Sequence, residues 1–237
     1  NKTKGIIINS PSNPTGGVWS NDAIKRILSL CKNRQDIWIF SDECYEQLTY
    51  DKPFKSIASF ETDNSNILTF QSCSKTYAMT GWRIGYIGGN SAVVKAITKL
   101  QGQSTSCPNS IAQYAAIEAL TGDQRCVDDM RATFLRRRDL ILSHLKGIPN
   151  IRCEIPQGAF YVFPDFSHYF GSKDCNNNIM QTSSDLSMYL LNDIGVVTVA
   201  GDSFGAPGYI RLSYATSDKI INKALELIKL SLSKLIF

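Results

Sequence analysis

Histidine is nearly missing from this sequence: His144 and His168 are the only two in 237 residues. That scarcity argues against a histidine-built metal site and against a Ser-His-Asp triad. No Cys-Xaa-Xaa-Cys pair occurs, and the seven cysteines are an odd number scattered along the chain. They are read as reduced thiols, which sets a cytoplasmic expectation. No apolar run approaches the length of a membrane span, and no secretory signal is recognised ahead of the first strand. The net charge is only +4, which gives no reason to invoke nucleic acid. The one basic cluster, Arg136-Arg137-Arg138, sits in a helical pattern and is expected to be a solvated face. What remains is 43% apolar and 19% charged, ordinary for a globular chain able to bury a real core as one large domain or two modest ones.

What is present concentrates between Ser72 and Tyr86, the string Ser-Cys-Ser-Lys-Thr-Tyr-Ala-Met-Thr-Gly-Trp-Arg-Ile-Gly-Tyr. The apolar run Asn66 to Phe70 just before it reads as a buried strand. A lysine delivered by such a strand, here Lys75, is costly to leave charged, so its pKa is expected to fall. A neutral amine suits Schiff-base chemistry. Ser72, Ser74 and Arg83 supply hydroxyls and a guanidinium suited to gripping a phosphate. An aldehyde-reactive amine beside a phosphate grip points to pyridoxal 5'-phosphate. A lone lysine after a strand is more often a solvated surface group, so the spacing of the whole string carries the reading. Ser72 to Lys75 also matches the Ser-Xaa-Xaa-Lys of penicillin-binding serine enzymes, but their Lys-Thr-Gly occurs nowhere in the chain.

The string resembles the lysine signature of the class I, fold type I, aminotransferases: Ser-Xaa-Ser-Lys followed by Met-Xaa-Gly-Trp-Arg-Ile-Gly. Other segments agree in order. Gly5-Ile-Ile-Ile-Asn9 reads as a strand buried on both faces of a parallel sheet. It runs into Ser10-Pro-Ser-Asn-Pro-Thr-Gly-Gly17, a turn-rich loop where a doubly wound sheet collects ligands. The resemblance assigns Asn13 in this loop to the cofactor ring oxygen and the substrate. Ile37-Trp-Ile-Phe-Ser41 is a second buried strand, ending at Asp42. A carboxylate there needs a positive partner, and the resemblance supplies the protonated pyridine nitrogen. Tyr45 is implied to donate to the ring's phenolic oxygen, and Arg211, in Tyr209-Ile-Arg-Leu-Ser-Tyr-Ala215, to clamp the substrate α-carboxylate. The competing readings are a connecting turn for the Asn13 loop, a helix-capping aspartate, a packed tyrosine and a solvent-facing strand arginine. Gln101 to Gln113 resembles the subgroup of bacterial aspartate and prephenate aminotransferases, with Cys107 where that subgroup carries asparagine. Ala200 stands where the family carries proline.

Around these motifs the periodicity predicts helices from Ser20 to about Asn33, with Ala23, Ile24, Ile27, Leu28 and Cys31 inward, and from Ser91 to about Gln101. A third starts at Pro108 with Ile111, Ala115, Ile117 and Leu120 inward, and a long one runs from Asp123 to Leu145. Tyr86 to Gly89, Ile151 to Ile155, Gly158 to Phe163 and Val196 to Val199 are expected strands. Ser184 to Asn192 and Ser217 to Leu235 are expected helices, and Ser167 to Thr182 a surface insertion. The fold class is α/β: a partial fold type I large domain with a mostly parallel sheet and flanking helices, then an α+β small domain. The expected division is a large domain over 1–122, an interdomain helix over 123–146 and the small domain over 147–237.

A domain rarely starts four residues before an apolar strand, so the chain is expected to be a piece of a longer one. The resemblance implies that the family's N-terminal arm, first strands, backbone phosphate loop and ring-stacking aromatic lie outside it, with residues lent across a homodimer interface. It implies transamination between an L-amino acid, aspartate by the subgroup, and a 2-oxo acid such as 2-oxoglutarate. Lys75, Asp42 and Tyr45 are the catalytic candidates. A lyase of the same fold, a non-catalytic cofactor-sensing module and an inactive fragment stand as alternatives.

Overall fold

The computed structural model describes residues 2–32, 34, 36–60 and 66–237. The chain divides into two compact units, Asn1–Ser12 with Gly17–Arg131, and Asn13–Gly16 with Ala132–Phe237.

In the first unit, β1 (Gly5–Asn9), β2 (Trp38–Asp42) and β3 (Ile67–Ser72) form a parallel ladder, and β4 (Gly85–Gly89) pairs antiparallel with β3 at the edge. The register sets Asn9 beside Asp42 and Asp42 beside Phe70, so the carboxyl ends of the three parallel strands finish together. Helix α1 (Asn21–Cys31) starts at Ser20, whose hydroxyl accepts from the Ala23 amide at 3.2 Å. Its apolar stripe buries Ile24 and Leu28 against Ile8, Ile39, Ile57 and Ile67, with Ile27 and Cys31 at the margin. Each such aliphatic side chain contributes about 1.5–3 kcal/mol when fully buried. The expected end at Asn33 lies outside the described residues.

β1 departs from the expectation of burial on both faces. Ile8 is buried and Ile7 is 78% exposed, because successive side chains alternate and α1 covers only the face of Ile6 and Ile8. After the one-turn α2 (Cys73–Thr76) come α3 (Ser91–Ser104) and α4 (Ser110–Thr121). Their caps are Asn90 and Asn109, each accepting from two amides of the first turn, so Ser91 is the first helical residue of α3 and α4 starts at Ser110 rather than at the expected Pro108. The inward face of α4 also differs. Ala112 and Ala116 are buried against Cys73, Met79 and Ile84, while Ile111, Ile117 and Leu120 are exposed. Small side chains let the helix approach this cluster closely, and the larger apolar residues take the opposite side.

Helix α5 (Arg125–Lys146) runs from the first unit's residues into the second's. The second unit holds an antiparallel sheet in the order β5 (Tyr161–Val162), β7 (Ile210–Ser213), β6 (Val199–Ala200), together with α6 (Ser183–Ile194) and α7 (Asp218–Leu232). Leu186 and Leu190 of α6 and Ile221, Leu225, Ile228 and Leu232 of α7 are buried at helical spacing. A capping box between Thr182 and Asp185 fixes the start of α6. Tyr214 is fully buried and donates to the Ala159 carbonyl at 3.1 Å.

Three local expectations change. Ile151 to Ile155 is not a strand: only Arg152 bridges, to Asp165, and Ile155 is exposed. The 167–182 segment lies at the surface as expected but is anchored there, since Tyr169, Ser172 and Met180 are buried and Lys173 bridges both Ile179 and Ile236. Of the three arginines, Arg136 and Arg137 both pair with Asp218. Arg138 is buried, donating to Asp139 at 2.9 Å and to the Pro156 carbonyl at 3.2 Å. The histidines are tied to amides, His144 to Asn222 at 2.8 Å and His168 to Asn150 at 2.9 Å. Among the described residues no cluster of potential metal ligands occurs, and no helix is long and apolar enough to cross a membrane.

Gly16 holds the second unit's short 13–16 segment in place. Its φ is +68°, and its carbonyl accepts from the Gln157 and Gly158 amides at 2.9 and 2.8 Å. A Cβ there would lie 2.4 Å from Pro156 Cβ and 2.7 Å from the Gly158 carbonyl oxygen. Gly195 has φ +69° with open space around it. Gly16→Ala is therefore expected to cost about 2–3 kcal/mol or more and Gly195→Ala about 1 kcal/mol. Urea midpoints of the two variants check the difference.

Candidate active site

Asp42 closes β2, and its side chain accepts from the Cys44 amide at 3.2 Å. Its own carbonyl accepts from the Ser10 amide at 3.1 Å, and the Asn9 carboxamide approaches it at 3.4 Å. The chain then turns: the Glu46 amide donates to Glu43 and the Leu48 amide to Tyr45. Tyr45 is buried in this turn. Among the described residues Asp42 forms no salt bridge, which leaves its carboxylate open to a cationic partner. The Cys44 thiol is pushed up to about 12, by burial first and then by its hydrogen bond to Asp42, while the charge of Lys75 pulls it the other way. Asp42, Cys44 and Lys75 thus share one electrostatic neighbourhood.

Lys75 does not sit on the strand itself but on α2, three residues past the end of β3, and is half-buried. Ser72 ends the strand and caps that turn: its hydroxyl accepts from the Ser74 amide at 3.1 Å and donates to the Ile84 carbonyl at 3.2 Å. Ser74 and Lys75 follow within the same turn. Arg83 adopts φ +53°, a left-handed conformation uncommon for a side chain of its size. One of its amino groups donates to the Thr80 carbonyl at 2.8 Å. The guanidinium is exposed and lines an open cleft of about 810 Å³ together with Trp82, Thr105, Cys107 and Asn109. Among the described residues it has no carboxylate partner, as expected of a group that meets an external anion.

Asn13 and Arg211 belong to the second unit. Arg211, in the middle of β7, donates from Nη1 to Asn13 Oδ1 at 2.7 Å. Its guanidinium carbon lies 4.5 Å from the Tyr161 ring centre and 5.4 Å from that of Phe204. Its Nε is buried without a hydrogen-bond partner among the described residues. An arginine packed against two rings with one donor unspent is prepared for a carboxylate. Sequence reasoning missed Tyr161 and Phe204 as its flanks, because they come from separate segments joined only by the sheet. Glu43 was missed as well. It is fully buried beside Asp42, and the argument that a strand-end carboxylate must be compensated applies to it with greater force.

A family profile described as "Aminotransferase class I and II" matches residues 1–228. The chain belongs to that family. It is 42% identical over 225 residues to a probable aspartate/prephenate aminotransferase of Rickettsia bellii, covering 94% of this chain and 56% of the relative. It is 38% identical over 236 residues to an aspartate aminotransferase of Rhizobium meliloti, covering 99% of this chain and 58% of the relative. The crystal structure of the aspartate aminotransferase from Rhizobium meliloti superposes with a TM-score of 0.94 over 99% of this chain and 59% of its own. That of Thermus thermophilus with maleate gives 0.87 at 37% identity, over 97% of this chain and 57% of its own. The fold type I architecture is thereby shown. This chain spans a little over half the length of the curated relatives it matches.

Glu46 lies one turn past Asp42, and burial followed by the charge of Glu43 raises its carboxyl pKa. A carboxyl held above its unfolded value stabilises the fold fully below the unfolded pKa and loses that contribution as pH rises through the folded one. Glu46→Gln is therefore expected to gain stability over the wild-type chain as pH rises past the ordinary glutamate value of 4.5. Urea midpoints at pH 4, 6 and 8 would show the gap widening; a gap independent of pH would contradict it.

Proposed function

We propose that the protein is a pyridoxal 5'-phosphate-dependent aminotransferase acting on aspartate and a 2-oxo acid such as 2-oxoglutarate. The observation that carries this reading is the set of groups at the ends of β2 and β3 and the start of β4: an open carboxylate, a buried tyrosine, a lysine and a guanidinium without a carboxylate partner among the described residues. That donor set fits the group. Asp42 would hold the pyridine nitrogen's proton and Tyr45 would donate to the phenolic oxygen. Ser72, Ser74 and Arg83 would take the phosphate, and Lys75 would bond the carbonyl carbon. Bound pyridoxal phosphate supplies an electron sink for the pair released at the amino acid's α-carbon.

The residues do the rest. The Lys75 amine would carry a proton to and from the amino acid's α-carbon as general base and acid. Arg211 would receive the α-carboxylate through its unspent Nε–H, with Asn13 fixing the plane of the fork. Aspartate as the amino acid rests on the names of the relatives.

A division into a partial cofactor-binding large domain over 1–122, an interdomain helix over 123–146 and a small domain over 147–237 is part of the proposal; the two compact units part between Arg131 and Ala132. A homodimer is proposed for the full-length protein. A cytoplasmic setting is supported by seven cysteines that form no disulfide.

Borohydride reduction of the purified chain with pyridoxal phosphate, followed by peptide mass mapping, tests the site. A pyridoxyl adduct confined to Lys75 and lost in Lys75→Ala is the expected outcome. Should none form, the same measurement on the full-length parent decides, and no adduct in either would overturn the reading. The isolated chain is expected to show little transamination even when labelled, which a coupled assay for the 2-oxo acid product checks.

A further inference from the structure

Glu43 is fully buried, yet it belongs to none of the roles assigned above. Its Oε1 accepts from the Ser41 hydroxyl at 2.8 Å, the Ser56 hydroxyl at 2.9 Å and the Ile57 amide at 3.2 Å. Gln71 reaches its Oε2 at 3.4 Å while donating to Glu46 at 2.8 Å. Among the described residues no salt bridge joins Glu43 to a cation, so hydrogen bonds alone hold the carboxylate. One glutamine amide therefore serves two carboxyl groups, and burial first, then the neighbouring Glu43, raises the pKa of Glu46. An apolar residue here would avoid that conflict.

The position explains what the carboxylate does. Its donors come from three segments: β2 itself, the 56–57 turn, and Gln71, which immediately precedes Ser72. The Glu43 backbone is pinned as well, its amide to the Phe70 carbonyl at 2.9 Å and its carbonyl to the Glu46 amide at 3.0 Å. Asp42 lies on one side of this pivot and Tyr45 on the other. We infer that Glu43 is a positioning residue that fixes Asp42 and Tyr45 for the cofactor by tying the ends of β2 and β3 to the 56–57 turn. This rests on the reading of Asp42 and Tyr45 given above.

Glu43→Gln keeps the shape and three of the acceptor contacts but sets an NH₂ group against that of Gln71. Leu28→Ala, in the α1 cluster, serves as a control that loses stability without touching the pivot. Two readouts separate placement from stability. In the cofactor-free chain, exchange of the Cys44 amide, which donates to Asp42, is followed by NMR. With pyridoxal phosphate added, affinity and the position of the visible absorption band are measured. Glu43→Gln is expected to speed Cys44 exchange about tenfold relative to core amides, to weaken pyridoxal phosphate binding about tenfold, and to move the band. Leu28→Ala should leave the band in place. Cys44 exchange in Glu43→Gln no faster than in Leu28→Ala would overturn the inference. If the wild-type chain takes up no pyridoxal phosphate, the cofactor readouts move to the full-length parent, and the Cys44 amide still decides whether Glu43 places Asp42.

Discussion

Register in the parallel ladder aligns Asn9 with Asp42 and Asp42 with Phe70, and the chemistry of the first unit depends on that alignment. Parallel strands present their carboxyl ends on one side of the sheet, where the backbone stops pairing and side chains take over its hydrogen bonds. Asp42 leaves β2 where its carbonyl still accepts from Ser10. Ser72 leaves β3 already capping the turn that carries Lys75. A slip of one residue in either strand would exchange its faces, taking the carboxylate and the lysine away from a common neighbourhood.

Polar groups at the ends of β2 and β3, and by itself in the second unit the arginine of β7, are buried to different degrees, and each is compensated in its own way. Glu43 has hydroxyl and amide donors, Asp42 a backbone amide, and Arg211 an asparagine and two aromatic faces. The compensation is uneven. Glu46 is held above its ordinary pKa, and the Nε of Arg211 lacks a hydrogen-bond partner among the described residues. Such local shortfalls gather at functional sites because a group that must meet a ligand cannot also be fully spent on the fold.

Much of the site was legible in the linear chain. The β-branched runs at 5–9 and 37–41 announced parallel strands, and the turn residues after the first and the carboxylate after the second marked functional strand ends. The string around Lys75 named the family. What escaped were contacts between segments distant in sequence. Ser56 and Gln71 meet Glu43 from 13 and 28 residues away. Tyr161 and Phe204 flank Arg211 from separate strands and turns. On α4, periodicity pointed the large apolar residues inward, but a helix can lay down either of two stripes, and the alanine stripe was the one that packed.

The sequence alone determined most of the element order, the Ser20 cap of α1 and the identity of the reactive side chains, since propensity, capping and motif spacing act over a few neighbouring residues. Tertiary packing decided which face of α4 is buried, that Arg138 points inward and that the 167–182 segment is tethered. It also decided that a second carboxylate lies buried beside Asp42. Those outcomes depend on desolvation and on the donors that arrive from other strands, and neither is fixed until the chain has closed on itself.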